Sequence, residues 1–242
     1  MEWPGSGPPL RPEFVAGIDV SATRGLDAAI LASGGKLIET TWLPDLDGLR
    51  VWLDVWAGRL AAVAVDAPAS TAHQPGGRIA ERVLRARGVS LYLAPTVEQP
   101  PATWMVVGWR IFRLLEWFGF PEARLPRAQS PDGPRALECF PYAAYVAWTG
   151  KGRPKTMLPA VWARRVLRQR GYTPPGTGKD APDAIAAALA AYAWMRGEAV
   201  PYGDPAEGVI WTPCALPEKL MSSPGRAPSA PPLPLAGEGA GG

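Results

Sequence analysis

The stretch Phe14-Val15-Ala16-Gly17-Ile18-Asp19-Val20 decides the fold. It is apolar without a break until Asp19, so it reads as a strand buried on both faces. A carboxylate at the end of a core strand is costly unless it is paired or holds a cation. The chain repeats the device. Ala61-Ala62-Val63-Ala64-Val65 is a second buried run, and Asp66 closes it. Asp183 opens the Ala-rich helical stretch Asp183-Ala184-Ile185-Ala186-Ala187-Ala188-Leu189. If these three acids converge, they have the chemistry of a divalent-metal site of the kind that cleaves phosphodiesters.

Between the two strand-end acids the pattern is regular. Leu26–Ser33 is short and apolar, Gly34-Gly35 is a hairpin signal, and Lys36–Leu43 alternates through Leu37, Ile38, Thr40 and Trp42. Leu46, Leu49, Val51, Trp52, Leu53 and Trp56 have helical spacing, with Asp45 or Asp47 as the N-cap. Asp66 follows Asp19 by 47 residues. That is room for two strands and a crossover helix, which sets the fourth strand parallel to the first. Further on, Ile79–Arg87 and residues 100–120 read as helices. Arg135–Phe140 reads as a short strand carrying Glu138 and Cys139 and stopped by Pro141. Two more helices are expected near Pro159–Arg170 and Ala181–Arg196, then a short extended piece at Val209-Ile210-Trp211.

Composition bounds the rest. The chain has 242 residues, 47% of them hydrophobic, enough for a substantial core. Its formal charge of +3 says little about partners. The distribution says more: residues 151–170 carry Lys151, Arg153, Lys155, Arg164, Arg165, Arg168 and Arg170 with no acid among them. Cys139 and Cys214 lie in no metal-ligand spacing and read as reduced thiols. Met1–Arg11 lacks the apolar core of a secretion signal. The apolar helix from Asp183 to Met195 is shorter than the roughly 20 residues of a membrane span. The expectation is a cytoplasmic protein with no membrane partner. Residues 1–12, with four prolines, read as a loose lead-in, residues 13–213 as one domain, and residues 222–242, with five prolines and five glycines, as a disordered tail.

Strand, strand, strand, helix, strand, with acids closing strands one and four and opening a late helix, resembles the ribonuclease H-like fold. The ordered pieces Gly17-Ile18-Asp19-Val20-Ser21, Ala64-Val65-Asp66-Ala67-Pro68, Glu138-Cys139-Phe140-Pro141, Asp183-Ala184 and Gly203-Asp204…Glu207-Gly208-Val209-Ile210-Trp211 resemble a microbial family of unknown function, DUF429, described as predicted ribonuclease H-like nucleases. The resemblance covers about residues 13–213. It implies an α/β fold with a mixed sheet, a three-strand antiparallel meander plus parallel strands, with helices on both faces. It also implies metal-dependent hydrolysis of nucleic acid. The pair Asp180-x-x-Asp183 is similar to the late-helix acids of Holliday-junction resolvases of this fold, and i, i+3 spacing puts both carboxylates on one helix face.

In that reading Mg²⁺ or Mn²⁺ ions roughly 3.5–4 Å apart activate a water and shield the phosphate. Hard ions take oxygen ligands, so acids suffice. Asp19 bridges both ions, Asp66 holds one, and Asp183, with Asp180 or Glu138, the other. Lys155, Arg164, Arg165 and Arg168 form a phosphate-contacting stripe. Each residue also has a plainer role: Asp19 as a turn cap, Asp66 in an Asx turn, Asp180 and Asp183 as helix N-terminal acids, and Glu138 as partner of an arginine such as Arg135. The basic residues can line a solvated helix face. Trp104, Trp109 and Trp117 can stack on bases or pack in the core, and His73 is a surface hydrogen-bonding residue or a proton carrier.

Two other functions stay open. Gly17-Ile18-Asp19-Val20-Ser21-Ala22-Thr23 also resembles the first phosphate loop of actin-like and pantothenate-kinase-like phosphotransferases. That reading needs a second Gly-rich loop, where this chain has Asp66-Ala67-Pro68-Ala69-Ser70. The other is a catalytically silent ribonuclease H-like binding scaffold.

Overall fold

The computed structural model describes residues 12–21, 23–175 and 180–218. The expected tail, and the expected lead-in apart from Pro12, lie outside the described residues. The central sheet is built from β1 (Phe14–Val20), β2 (Leu26–Ala32), β3 (Leu37–Leu43), β4 (Leu60–Asp66) and β5 (Arg135–Glu138) in the order β3-β2-β1-β4-β5. β1, β2 and β3 form the antiparallel meander, while β4 runs parallel to β1 and β5 parallel to β4. This is the mixed α/β sheet that the sequence pattern implies. Crossover helix α1 (Leu46–Trp56) joins β3 towards β4, and Asp45 caps it by accepting the Gly48 N–H at 2.9 Å.

Strand alternation sorts side chains onto two faces. Ala16, Ile18, Val63, Val65 and Ala136 face α1 and α3 (Thr103–Trp117), against Leu53, Ile111 and Leu115. Val15, Ala62, Ala64, Leu137 and Cys139 face the other way, onto α6 (Asp180–Met195). α6 is apolar almost all round, which suits a helix covered on every side. Around it lie α2 (Ile79–Ala86), α4 (Pro141–Thr149), α5 (Pro159–Gln169) and the hairpin of β6 (Val200–Asp204) and β7 (Gly208–Thr212).

α4 and β6 are additions to the sequence reading. Pro141 does not merely end β5; it sits at the first position of α4, where its missing N–H costs nothing. Gly150, at φ 68°, closes that helix in the left-handed region. β6 contains Pro201 and Gly203, which mask its strand character in the sequence, and among the described residues it pairs with β7 alone.

Candidate functional site

Asp19 and Asp66 are register partners at the C-terminal ends of the parallel strands β1 and β4. Neighbouring strands lie about 4.8 Å apart, so the two acids stand side by side. Asp19 shares its strand face with Gly17, the α6 face. There the backbone of α6 touches the sheet: a Cβ on Gly17 would lie 2.1 Å from the Ala188 nitrogen and 2.2 Å from the Ala184 oxygen. No side chain fits that gap. The contact at Ala184 brings the first turn of α6, and with it Asp183, to the strand ends. Asp19 is 8% exposed, and Asp66 and Asp183 are half-buried.

Two buried groups sense all three acids. Burial lifts the Tyr145 phenol well above its ordinary value, and Asp183, Asp19 and Asp66 push it further the same way. The Cys139 thiol is likewise raised, first by burial, then by Asp66, Glu138, Asp19 and Asp183. The three carboxylates thus all lie near enough to act on the same two groups. They do not form a closed cage. Among the described residues no group of three or more His, Cys, Asp or Glu side chains is gathered tightly enough to hold a metal ion.

Glu138 has a different place from the one its sequence position suggested. It alternates with Cys139, so it leaves β5 on the face opposite Asp19 and Asp66. It is 3% exposed and bound by Arg78, which is 0% exposed. Arg78 Nη1 donates to Glu138 Oε2 at 2.7 Å, and Nη2 donates to Oε1. The Ala69 N–H also donates to Glu138 Oε2, at 2.8 Å. Arg78 binds Glu81 as well, through Nε at 3.0 Å and Nη2 at 2.9 Å. Glu81, third in α2, accepts the Arg78 N–H at 3.0 Å and the Ala94 N–H at 2.8 Å. Burial opposes the Arg78 charge, but Glu138 and Glu81 outweigh it and hold the guanidinium above its ordinary value. Burial lifts Glu138 against the pull of Arg78 and the Ala69 amide, and Glu81 adds to the rise. The arginine anticipated for Glu138, Arg135, instead donates to the carbonyls of Pro134 and Pro131.

Glu207 ties the same region together. Its carboxylate accepts the His73 N–H at 3.0 Å and the Ile79 N–H at 2.8 Å, so it caps α2 from across the molecule. Burial works against its charge, yet these two amides prevail and lower its pKa. The Ser70 hydroxyl donates to the Glu207 carbonyl at 2.9 Å. The loop after Asp66 is thus strapped at Ala69, Ser70 and His73. Asp66, Cys139, Arg78 and Glu138 line a small cleft of about 50 Å³ together with Tyr92 and Trp104.

The remaining expected site residues separate. The Asp180 side chain lies outside the description. Lys155, Arg165 and Arg168 are exposed. Arg164 is turned inward, 8% exposed, with its guanidinium donating to the carbonyls of Pro174 at 3.0 Å and Pro175 at 3.1 Å. It anchors the chain after α5, and the outward stripe is carried by Arg165 and Arg168 at i, i+3. Trp104 and Trp109 are half-buried, and Trp117 is exposed and packs edge-on against Phe118. His73 is exposed, and its backbone rather than its ring makes the contact described above.

Sequence reasoning missed Arg78, Glu81, Glu207 and Tyr145. Arg78-x-x-Glu81 at a helix start carried a local signal for the first two. The Glu138 and Glu207 partners lie 60 and 128 residues away from the groups they bind, and no local pattern reports them.

The family described as "Protein of unknown function (DUF429)" matches residues 17–207. A search of curated proteins gives no match. Among solved structures, Thermus thermophilus RuvC is similar at 18% identity, over 76% of this chain and 97% of that one, with a TM-score of 0.41. T. thermophilus RuvC in complex with a Holliday junction substrate gives 17% identity over the same shares and the same TM-score. A ROK family protein from Streptococcus pneumoniae in complex with sucrose gives 19% identity over 57% of this chain and 37% of that one, with a TM-score of 0.28.

Proposed function

This chain belongs to the DUF429 family, and we propose that it is a metal-dependent nuclease that hydrolyses phosphodiester bonds at Asp19, Asp66 and Asp183. One observation carries the reading: the register pairing of Asp19 with Asp66 at the ends of adjacent parallel strands, with the first turn of α6 pressed against them at Gly17. Carboxylate oxygens that share a buried volume suit hard divalent cations. Asp19, Asp66 and Asp183 would hold Mg²⁺ or Mn²⁺. Such ions supply a nucleophilic water at neutral pH and charge stabilisation at the phosphate. A cation held by the three carboxylates would offset the like charge that the strand register brings side by side.

The chain's own residues do the rest. Arg165, Arg168 and Lys155 supply exposed positive charge for phosphate contact. The Cys139 thiol, on the face of the acids, is raised by burial and by their charge. Glu138 and Arg78 hold the loop that follows Asp66. The reading places the protein in the cytoplasm. No described helix is long and apolar enough to cross a membrane. The phosphotransferase alternative needs backbone amides in the loop after β4 for a phosphate, and the Ala69 amide is already given to Glu138.

The test is cleavage of single-stranded, duplex and branched DNA and RNA with Mn²⁺ or Mg²⁺. The wild type is expected to cut at least one substrate. Asp19→Asn is expected to lose turnover while binding nucleic acid as tightly or more tightly. Metal-dependent ATP consumption without cleavage would favour the phosphotransferase, and inactivity in both assays the silent scaffold.

A further inference from the structure

Tyr145 joins Asp183 to the packed interior by a hydrogen bond. It sits on α4 and is 2% exposed. Its hydroxyl lies 2.8 Å from Asp183 Oδ1 and 2.9 Å from the Pro182 carbonyl oxygen. Both partners are acceptors, so the phenol proton is donated into the first turn of α6. The ring is held in place. Trp162 of α5 packs edge-on at 5.5 Å between ring centres, and Trp148 lies at 6.0 Å. A buried aromatic so clamped has one orientation available, and its hydroxyl direction follows from it.

A phenylalanine would fill the same space without the cost of burying a hydroxyl, about 1–3 kcal/mol when unsatisfied. What the hydroxyl adds is a fixed donor to Asp183. The Pro182 carbonyl alone does not call for it, since a carbonyl in a first helical turn already accepts from the N–H four residues on. Outer hydrogen bonds of this kind orient a ligating carboxylate and set its affinity for a metal. We propose that Tyr145 is a positioning residue: it holds Asp183 Oδ1 so that the carboxylate faces Asp19 and Asp66 in the orientation that receives a divalent cation. The inference rests on the metal-site reading above and goes beyond it, because it assigns the site's outer support to a helix that carries none of its acids. Through Trp162, the clamp also ties that support to α5, the helix bearing Arg165 and Arg168.

The experiment measures Mn²⁺ binding to the full chain by calorimetry, with no substrate present. Tyr145→Phe removes only the hydroxyl. It is expected to weaken Mn²⁺ by roughly 10-fold or more, the usual effect of losing an outer hydrogen bond to a ligand. In an Asp183→Ala background the same change is expected to have no further effect, since the hydroxyl acts through that carboxylate. A merely structural hydroxyl would lower the melting temperature equally in both backgrounds and leave Mn²⁺ affinity alone. Wild-type-like affinity in Tyr145→Phe, within about twofold, would overturn the proposal and leave the metal site standing. A wild type that takes up no Mn²⁺ would overturn both.

Discussion

Two groups of carboxylates meet at the same end of the sheet and have opposite surroundings. Glu138 and Glu81 are closed around Arg78, and they also accept the backbone amides of Ala69, Arg78 and Ala94. Asp19, Asp66 and Asp183 are set on the other face, side by side on two strands and a helix turn, with Tyr145 reaching Asp183. The first group satisfies its charge inside the protein. The second is arranged so that charges of one sign are brought together. One residue of strand parity separates them: Cys139 points to the acids and Glu138, its neighbour, points away. An acid near a strand end is therefore not one kind of object. The face it leaves from decides whether it becomes structure or site.

The largest effect that can break this comparison is on the closed group. Arg78→Met leaves two buried carboxylates without their cation and is expected to cost about 3–5 kcal/mol. Urea denaturation checks it, and a loss below about 1 kcal/mol would show that the network is not what holds the Asp66 loop. Next comes the seat of α6 on β1. Gly17→Ala puts a methyl into the α6 backbone and is expected to cost about 1–3 kcal/mol. It moves Asp183 away from Asp19, so Mn²⁺ affinity should fall while the Arg78 network stays intact. Unchanged stability would mean that α6 does not sit on β1 as described.

A smaller effect sharpens the closed side through pH. The folded pKa of Glu207 is lowered, so its stabilisation is present above the ordinary carboxylate value near 4.5 and is lost as pH falls through the lower folded value. Glu207→Gln is expected to cost about 1 kcal/mol at neutral pH, with the difference from wild type vanishing in acid. A difference independent of pH would contradict that assignment.

Much of the open group was legible in the sequence because it depends on local rules. An unbroken apolar run closed by Asp gives the strand ends, and 47 residues between two such ends give the parallel crossover. The meander and α1 with its Asp45 cap follow from periodicity and turn residues, and α6 from its long Ala-rich run opened by acids. The closed group was not legible, since Glu138 finds Arg78 across 60 residues. Face parity at Glu138 depends on where β5 starts, a matter of one residue that pattern alone does not supply. Arg164 shows the same limit on a helix: its basic neighbours implied an outward stripe, but the carbonyls of Pro174 and Pro175 draw it inward. α4 escaped because an almost wholly buried helix has no polar face to give it a period.

The central claim is that Asp19, Asp66 and Asp183 form one divalent-cation site. Thermal melts with millimolar Mn²⁺ against EDTA test it most directly. Cation binding to the folded state raises the melting temperature by mass action, and by more as concentration exceeds the dissociation constant. The expected result is a clear Mn²⁺-dependent rise in the wild type that disappears in Asp19→Asn and in Asp66→Asn, with the Asp19→Asn protein more stable than wild type in EDTA because a like charge has gone. An equal melting temperature with Mn²⁺ and with EDTA in the wild type, or the same rise in wild type and both variants, would contradict it.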